Sequence, residues 1–235
     1  MQHSRVPELQ EFLSDFPKMR LEPICSDTLT LSGQFDFTAT FSEVGTVTDS
    51  YLLQIDIPVG FPKLVPTVTE TGKRIPCHGE FHVNSDRTLC LGSPLRLRQR
   101  LARNPTLCGF TGGCLIPYLF AVSHKLVNGG DMVFDELRHG NLGKLDDYAE
   151  MFGLSSHQQT VDALRLLGIK KRLANKRPCP CGCGKRLGVC RLQMTLAPFR
   201  KLAPCRWFRS EIPQNMIEKR NPPIPKPALR EVPLM

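Results

Sequence analysis

Apolar and polar residues alternate along two stretches in the front half of the chain. Residues 29–41 place apolar side chains at nearly every second position, and residues 51–57 repeat the pattern. A period of two is typical of strands with one buried face. With a short third strand predicted near Thr67–Glu70, the closeness of these segments favours an antiparallel meander.

Helical spacing appears on both sides of these strands. Residues 6–16 predict a short amphipathic helix, and residues 115–127 and 142–152 predict two more. Ser156 and Gln159 have the capping-box spacing that starts a further helix. The order of elements, a helix, antiparallel strands, an irregular segment and then helices, predicts an α+β fold.

Charge divides the chain into two parts. Residues 165–235 carry 17 Lys or Arg against 3 Asp or Glu, whereas residues 1–164 carry 14 against 19. A basic back end on a slightly acidic body indicates a domain boundary. The predicted division is a body over 1–154, a helical connector over 155–175, a cysteine-rich knuckle over 176–192 and a basic, proline-rich tail over 193–235.

Composition narrows the class of protein. No apolar run approaches the ~18–20 residues of a membrane span, and the first residues lack a signal core, so neither membrane insertion nor secretion is expected. A cytoplasmic location is therefore predicted. Ten cysteines in such a chain indicate metal binding or catalysis rather than a disulfide scaffold.

Cys90 lies at the end of an irregular, polar segment over residues 71–95. Long loops in compact domains are usually functional, and a reactive thiolate needs partial exposure and nearby hydrogen-bond donors. His82, His78 and Asn84 precede it as candidate partners, with an Asx turn the first expectation for Asn84. Between two leucines, Cys90 is also compatible with a small buried residue.

The order of these features resembles the ubiquitin-conjugating enzymes. Phe61-Pro62 with Pro66 is similar to the family's Phe-Pro element, and the family usually has His-Pro-Asn, with Asn eight residues before the nucleophilic cysteine. Here His82 stands eight residues before Cys90, which is typical of bacterial relatives, including those of antiphage defence operons. Two later segments also resemble those bacterial proteins, namely residues 137–140 and 148–153.

This resemblance, over roughly residues 5–155, implies acyl transfer through a thioester on Cys90. His82 would stabilise the oxyanion or shape its loop, with Asn84 and His78 as supporting residues. The partners implied are a cargo protein with an activated C-terminus, such as a nucleotidyltransferase-like signalling enzyme, and an acceptor lysine. Since the chain has no Gly-rich nucleotide fingerprint, activation is expected to occur elsewhere or to be bypassed.

Four cysteines lie within twelve residues of the basic back end. Clustered thiolates with glycines between them are typical of a structural tetrahedral zinc site. The segment from Cys179 to Cys190 resembles the SEC-C metal-binding motif, which implies zinc held by Cys179, Cys181 and Cys190. Cys183 is the expected fourth ligand and Cys205 a weaker substitute; a basic linker without metal remains the alternative.

Two other functions stay open at this point. The same fold without chemistry would be an inactive conjugating-enzyme-like adaptor. Alternatively, the zinc knuckle and basic tail would bind nucleic acid through phosphate contacts, with Trp207-Phe208 stacking on bases.

Overall fold

The computed structural model describes residues 6–23, 28–42, 44–133 and 140–217. It has the predicted α+β architecture, with an antiparallel sheet of four strands in the order β1-β2-β3-β4. The strands are β1 (Met19–Leu21), β2 (Leu29–Phe41), β3 (Gly45–Ile57) and β4 (Thr67–Glu70).

The long β2–β3 hairpin confirms the alternation in the sequence. β2 spans the predicted residues and buries Leu29, Leu31, Phe35 and Phe37, whereas Ala39 and Phe41 are partly buried. β3 begins six residues earlier than the alternation indicates, because Thr46 and Thr48 pair with threonines of β2. Their side-chain oxygens lie 2.8 and 3.0 Å apart across the strands, so cross-strand hydrogen bonds extend the hairpin where apolar residues run out.

Strand β1 has no alternating signal in the sequence. It covers three residues at the sheet edge and pairs with β2 around Gly33. Gly33 has a φ of 141°, and a Cβ there would collide with the carbonyl oxygen of Lys18. The close approach of these two backbones therefore requires a glycine at this position.

Helices make up most of the remaining described residues. The α-helices are α1 (Leu9–Asp15), α2 (Pro94–Arg103), α3 (Leu107–Phe110), α4 (Ile116–Asn128), α5 (Gly140–Phe152), α6 (His157–Leu167), α7 (Lys171–Ala174), α8 (Leu192–Leu196), α9 (Cys205–Ser210) and α10 (Gln214–Ile217). A π-helix (Thr111–Leu115) joins α3 to α4, and short 3₁₀ turns cover Gly79–Phe81, Leu187–Val189 and Pro198–Lys201.

The apolar α3–α4 segment packs against the sheet. The hydroxyls of Tyr51 on β3 and Ser123 on α4 lie 2.7 Å apart, and Phe120 is fully buried. By length and composition, the continuous helix Leu107–Asn128 is the one candidate for a membrane span among the described residues. Of its most apolar window, 61% is buried inside the protein, and core helices meet the same criterion.

Two hydrophobic clusters form the core. The first joins the sheet to α1, α3 and α4, and the second joins α5 and α6 to the C-terminal helices α8 and α9. Helix α2 contributes to both, since Leu101 lies in the first cluster and Leu95 in the second. The boundaries predicted at residues 154, 175 and 192 remain predictions.

The back end contains more regular structure than its sequence pattern indicates. Residues 192–210, nearly all within the predicted basic, proline-rich tail, form α8, a 3₁₀ turn and α9. Phe199 is 4% exposed and Phe208 is fully buried against the second cluster. Pro198 and Pro204 divide the segment into pieces too short for a helical period to be visible. Residues 218–235, with the proline-rich run, lie outside the described part of the chain.

The burial of Phe208 predicts that the C-terminal helices stabilise the whole fold. Phe208→Ala should lower the free energy of unfolding by about 3–5 kcal/mol, because a large aromatic side chain leaves a cavity. Urea unfolding monitored by circular dichroism measures the change. Arg206→Ala, at an exposed position of the same helix, is the control. An equal, small effect of both substitutions would contradict the packing of α9.

Candidate functional site

Cys90 follows a segment that is tied to the edge of the sheet. The Leu89 amide donates to the Val68 carbonyl of β4 over 2.8 Å, and Thr69 forms a β-bridge with Thr88. A second bridge joins Val83 to Leu89. The irregular segment is therefore held by backbone hydrogen bonds, which give the cysteine a defined position relative to β4.

His82 and Cys90 are neighbours through their backbones. His82 ends the 3₁₀ turn Gly79–Phe81 with a φ of 52°, in the left-handed region. Its carbonyl accepts a 2.7 Å hydrogen bond from the Cys90 amide. Residues separated by eight positions in the sequence thus lie side by side, and both line a pocket of about 740 Å³.

Cys90 is the half-buried thiol of this pocket. Cys114 on the π-helix also lines the pocket, but it is 2% exposed, and burial raises the pKa of its thiol. The Tyr118 hydroxyl donates to the Phe81 carbonyl over 2.7 Å, and burial raises the pKa of this tyrosine as well. Between these two cysteines, Cys90 is therefore the better placed for reaction with a ligand in the pocket.

The other two polar residues predicted for this site have different places. Asn84 lines the pocket, and its side-chain amide donates to Thr88 Oγ1 over 2.9 Å. The Asx turn of this loop is formed by Asp86 rather than by Asn84: the Asp86 carboxylate accepts a hydrogen bond from the Thr88 amide over 3.0 Å. His78 is not among the lining residues; it is exposed, with Nδ1 3.7 Å from a Glu80 carboxylate oxygen.

A buried carboxylate on α5, that of Asp147, also lines the pocket. Asp147 is 1% exposed and accepts hydrogen bonds from the Ser93 hydroxyl and, over 2.6 Å, from Arg96 Nε. Ser93 also caps α2 by accepting from the Arg96 amide. Glu150 lies 3.3 Å from the Arg96 guanidinium, whose pKa is raised chiefly by its hydrogen bond to Asp147.

Sequence reasoning did not identify Asp147 or Arg96 as part of this site. Arg96 lies on α2 and is only partly exposed. The available local signal was Ser93-Pro94, a capping residue followed by proline at a helix start. That signal predicts the start of α2, but it does not predict that Asp147 binds the residues there.

The four clustered cysteines form a second site, at which the predicted ligands converge. The sulfur atoms of Cys179, Cys181, Cys183 and Cys190 all lie within 4.8 Å of one another. Three of the sulfur–sulfur distances are 3.2, 3.7 and 3.7 Å. Tetrahedral zinc with Zn–S bonds of about 2.3 Å has sulfur–sulfur edges of about 3.8 Å. The four cysteines therefore fit a structural zinc ion; Cys205 is not in this group.

Backbone pairing brings these cysteines together. A β-bridge joins Pro178 to Arg186, and the Cys179 amide donates to the Lys185 carbonyl over 2.9 Å. Gly182 reverses the chain between them with a φ of 82°. This turn places the first three cysteines against Cys190, which follows the 3₁₀ turn Leu187–Val189.

The thiols differ in acidity. Burial raises the pKa of Cys179, whereas a hydrogen bond from Cys179 lowers the pKa of Cys181 to about 7. A cation among the four sulfurs would favour the thiolate forms, and its binding would contribute to folding.

No protein-family model, no curated protein and no solved structure matches this chain. The functional argument therefore rests on the two sites. Of the later segments that resemble bacterial conjugating proteins, residues 148–152 belong to α5, while residues 137–139 lie outside the described residues.

The cysteine geometry predicts about one zinc ion per chain. Cys181→Ser should lose this zinc and lower the melting temperature, because metal binding supplies folding free energy. Elemental analysis of the purified full chain measures the metal. Cys205→Ser is the matched control and should retain it; loss of zinc from both variants, or from neither, would contradict the assignment.

The buried contacts of Asp147 predict a large effect of its removal. Asp147→Ala should lower the free energy of unfolding by about 2–3 kcal/mol, since Ser93 and Arg96 lose a charged acceptor. Chemical unfolding measures this effect. Glu150→Ala, which removes an exposed carboxylate from the same helix, should change stability by less than about 1 kcal/mol. Equal effects would argue against the role given to Asp147.

Proposed function

We propose that this protein is a ubiquitin-conjugating-enzyme-like acyl-transfer enzyme with Cys90 as its nucleophile. The observation that carries the proposal is the half-buried Cys90 thiol in the wall of a 740 Å³ pocket that His82 also lines. The backbone hydrogen bond between these two residues supports a common role. The α+β fold with an antiparallel sheet of four consecutive strands is compatible with this family.

The proposed reaction has two steps, formation of a thioester on Cys90 and transfer of the acyl group to an amine. The Cys90 thiolate attacks the carbonyl carbon of an activated C-terminal carboxyl of the cargo; a C–S bond forms as the bond to the leaving group breaks. An acceptor amine then attacks the thioester; a C–N bond forms, the C–S bond breaks, the thiolate leaves and the amine loses a proton. The activated carboxyl is an acyl adenylate or thioester made by another enzyme.

We assign assistance in these steps to His82, which lines the same pocket as Cys90. Each step passes through a tetrahedral intermediate with a negative oxygen, which an imidazole N–H can stabilise by hydrogen bonding. A neutral imidazole can also accept the proton that the amine loses. The 3₁₀ turn before His82 and the hydrogen bond from Cys90 restrict the backbone of both residues, which favours a preorganised site.

Partners and cofactor follow from the same proposal. The cargo is a protein with an activated C-terminus, and the acceptor is a protein lysine. Likeness to antiphage conjugating proteins suggests a nucleotidyltransferase-like signalling enzyme as cargo and a cytoplasmic location. Zinc, held by the four clustered cysteines, would have a structural role, because the pocket around Cys90 contains none of them.

A synthetic peptide with a C-terminal glycine thioester tests the chemistry without knowledge of the cargo. Mixed with the full chain, it should add its acyl group to Cys90, and hydroxylamine or thiols should remove it. Cys90→Ala should abolish the adduct, whereas Cys77→Ala, at an exposed position of the same irregular segment, should not. Intact mass spectrometry measures the adduct.

His82 variants test the second part of the proposal. His82→Ala should slow transfer by about 10²–10³-fold, as loss of one oxyanion donor does, and His82→Asn should restore part of the rate. If Cys90 reacts with the thioester and with iodoacetamide no faster than Cys77, the enzymatic proposal fails and an inactive adaptor is the better interpretation.

A further inference from the structure

The segment from Ala163 to Ser210 has an unusual charge pattern. It contains thirteen lysines and arginines and no aspartate or glutamate. Eleven of these cationic residues are exposed, namely Lys170, Lys171, Arg172, Lys176, Arg177, Lys185, Arg186, Arg191, Lys201, Arg206 and Arg209. A surface without acidic side chains attracts anions over a distance set by the Debye length.

Some cations of this segment have structural partners. Arg165 pairs with Asp162 over 2.8 Å, and Arg200 donates to main-chain carbonyls at the end of α6. Arg209 donates to the Gly168 carbonyl over 2.6 Å. Arg165 also donates to the Met216 carbonyl of α10 over 2.7 Å. These three arginines therefore connect the C-terminal segment to α6 and the residues that follow it, and they are not counted as part of a binding surface.

Five other cationic residues lie in the cysteine-rich knuckle, residues 176–192. The Leu187 amide donates to the Arg177 carbonyl and the Cys179 amide to the Lys185 carbonyl, each over 2.9 Å. These bonds place the two consecutive pairs, 176–177 and 185–186, on adjacent segments, and Arg191 follows directly on Cys190. Within the described residues, none of the five side chains forms an ion pair.

We propose that the knuckle surface, Lys176, Arg177, Lys185, Arg186 and Arg191, binds the phosphate backbone of nucleic acid. Protein–nucleic acid interfaces are far more positively charged than protein–protein interfaces, in which lysine is depleted. A metal ion held by the four cysteines would fix the backbone that carries these side chains, which would lower the cost of ordering them around a chain of phosphates.

The surface contacts phosphates rather than bases. Phe208 is fully buried, and the Trp207 ring is half-buried with the Arg98 guanidinium 4.8 Å from its centre. The base stacking envisaged for these two aromatic residues from the sequence is therefore not a feature of this surface. Binding is expected to depend little on base sequence and strongly on salt.

Fluorescence anisotropy with a labelled 20-nucleotide single strand and a 20-base-pair duplex, both of mixed sequence, tests the proposal on the full chain. The double variant Lys185→Gln/Arg186→Gln should reduce the slope of log K against log salt by about 1.4–1.8, for two lost phosphate contacts. Arg20→Gln/Lys63→Gln removes the same charge from exposed positions elsewhere and should leave the slope unchanged.

The outcomes are distinct. Cys90→Ala should bind nucleic acid like the wild type, so this test does not depend on the proposed acyl transfer. An equal decrease of the salt slope in the two double variants would mean that only net charge matters, and it would overturn the proposal. The proposal would also be overturned if polyglutamate bound as tightly as the oligonucleotides, because that result would indicate an acidic protein as the partner. Zinc content of the Lys185/Arg186 variant, measured in parallel, confirms that the knuckle is intact.

Discussion

The arrangement of the candidate site depends on the hydrogen bonds that the buried carboxylate of Asp147 accepts. A buried charge is costly unless it is paired, and here Ser93 and Arg96 supply the hydrogen bonds. Since α2 begins four residues after Cys90, this interaction fixes the chain just beyond the cysteine. Because α2 places one leucine in each hydrophobic cluster, the same interaction joins the two parts of the core.

The described cysteines occupy chemically different environments. Cys90 is single, half-buried and next to a pocket, as a nucleophile that must meet a substrate requires. The four cysteines of the knuckle have their sulfurs within reach of one ion, which suits a structural metal. Cys114 is enclosed in the first hydrophobic cluster. Burial and the distance to other sulfurs, rather than cysteine count, separate these environments.

Local patterns predicted the elements in which one face is buried along a regular period. β2, β4 and α6 appear where the sequence indicates, and Ser156 caps α6 by accepting from the Gln159 amide. β1 and the first half of β3 were not predicted, because pairing with β2 rather than their own pattern stabilises them. The helices of the back end were also missed, since prolines divide them into short pieces.

The sequence by itself determined the α+β class, the uneven distribution of charge and the close spacing of the four knuckle cysteines, because each is a property of neighbouring residues. Only the tertiary structure decided that the Cys90 amide bonds to the His82 carbonyl and that Asp147 binds a serine 54 positions earlier. Such contacts depend on how the sheet, α2 and α5 pack together. Hydrogen bonds between segments far apart in the chain leave no periodic signal in either segment.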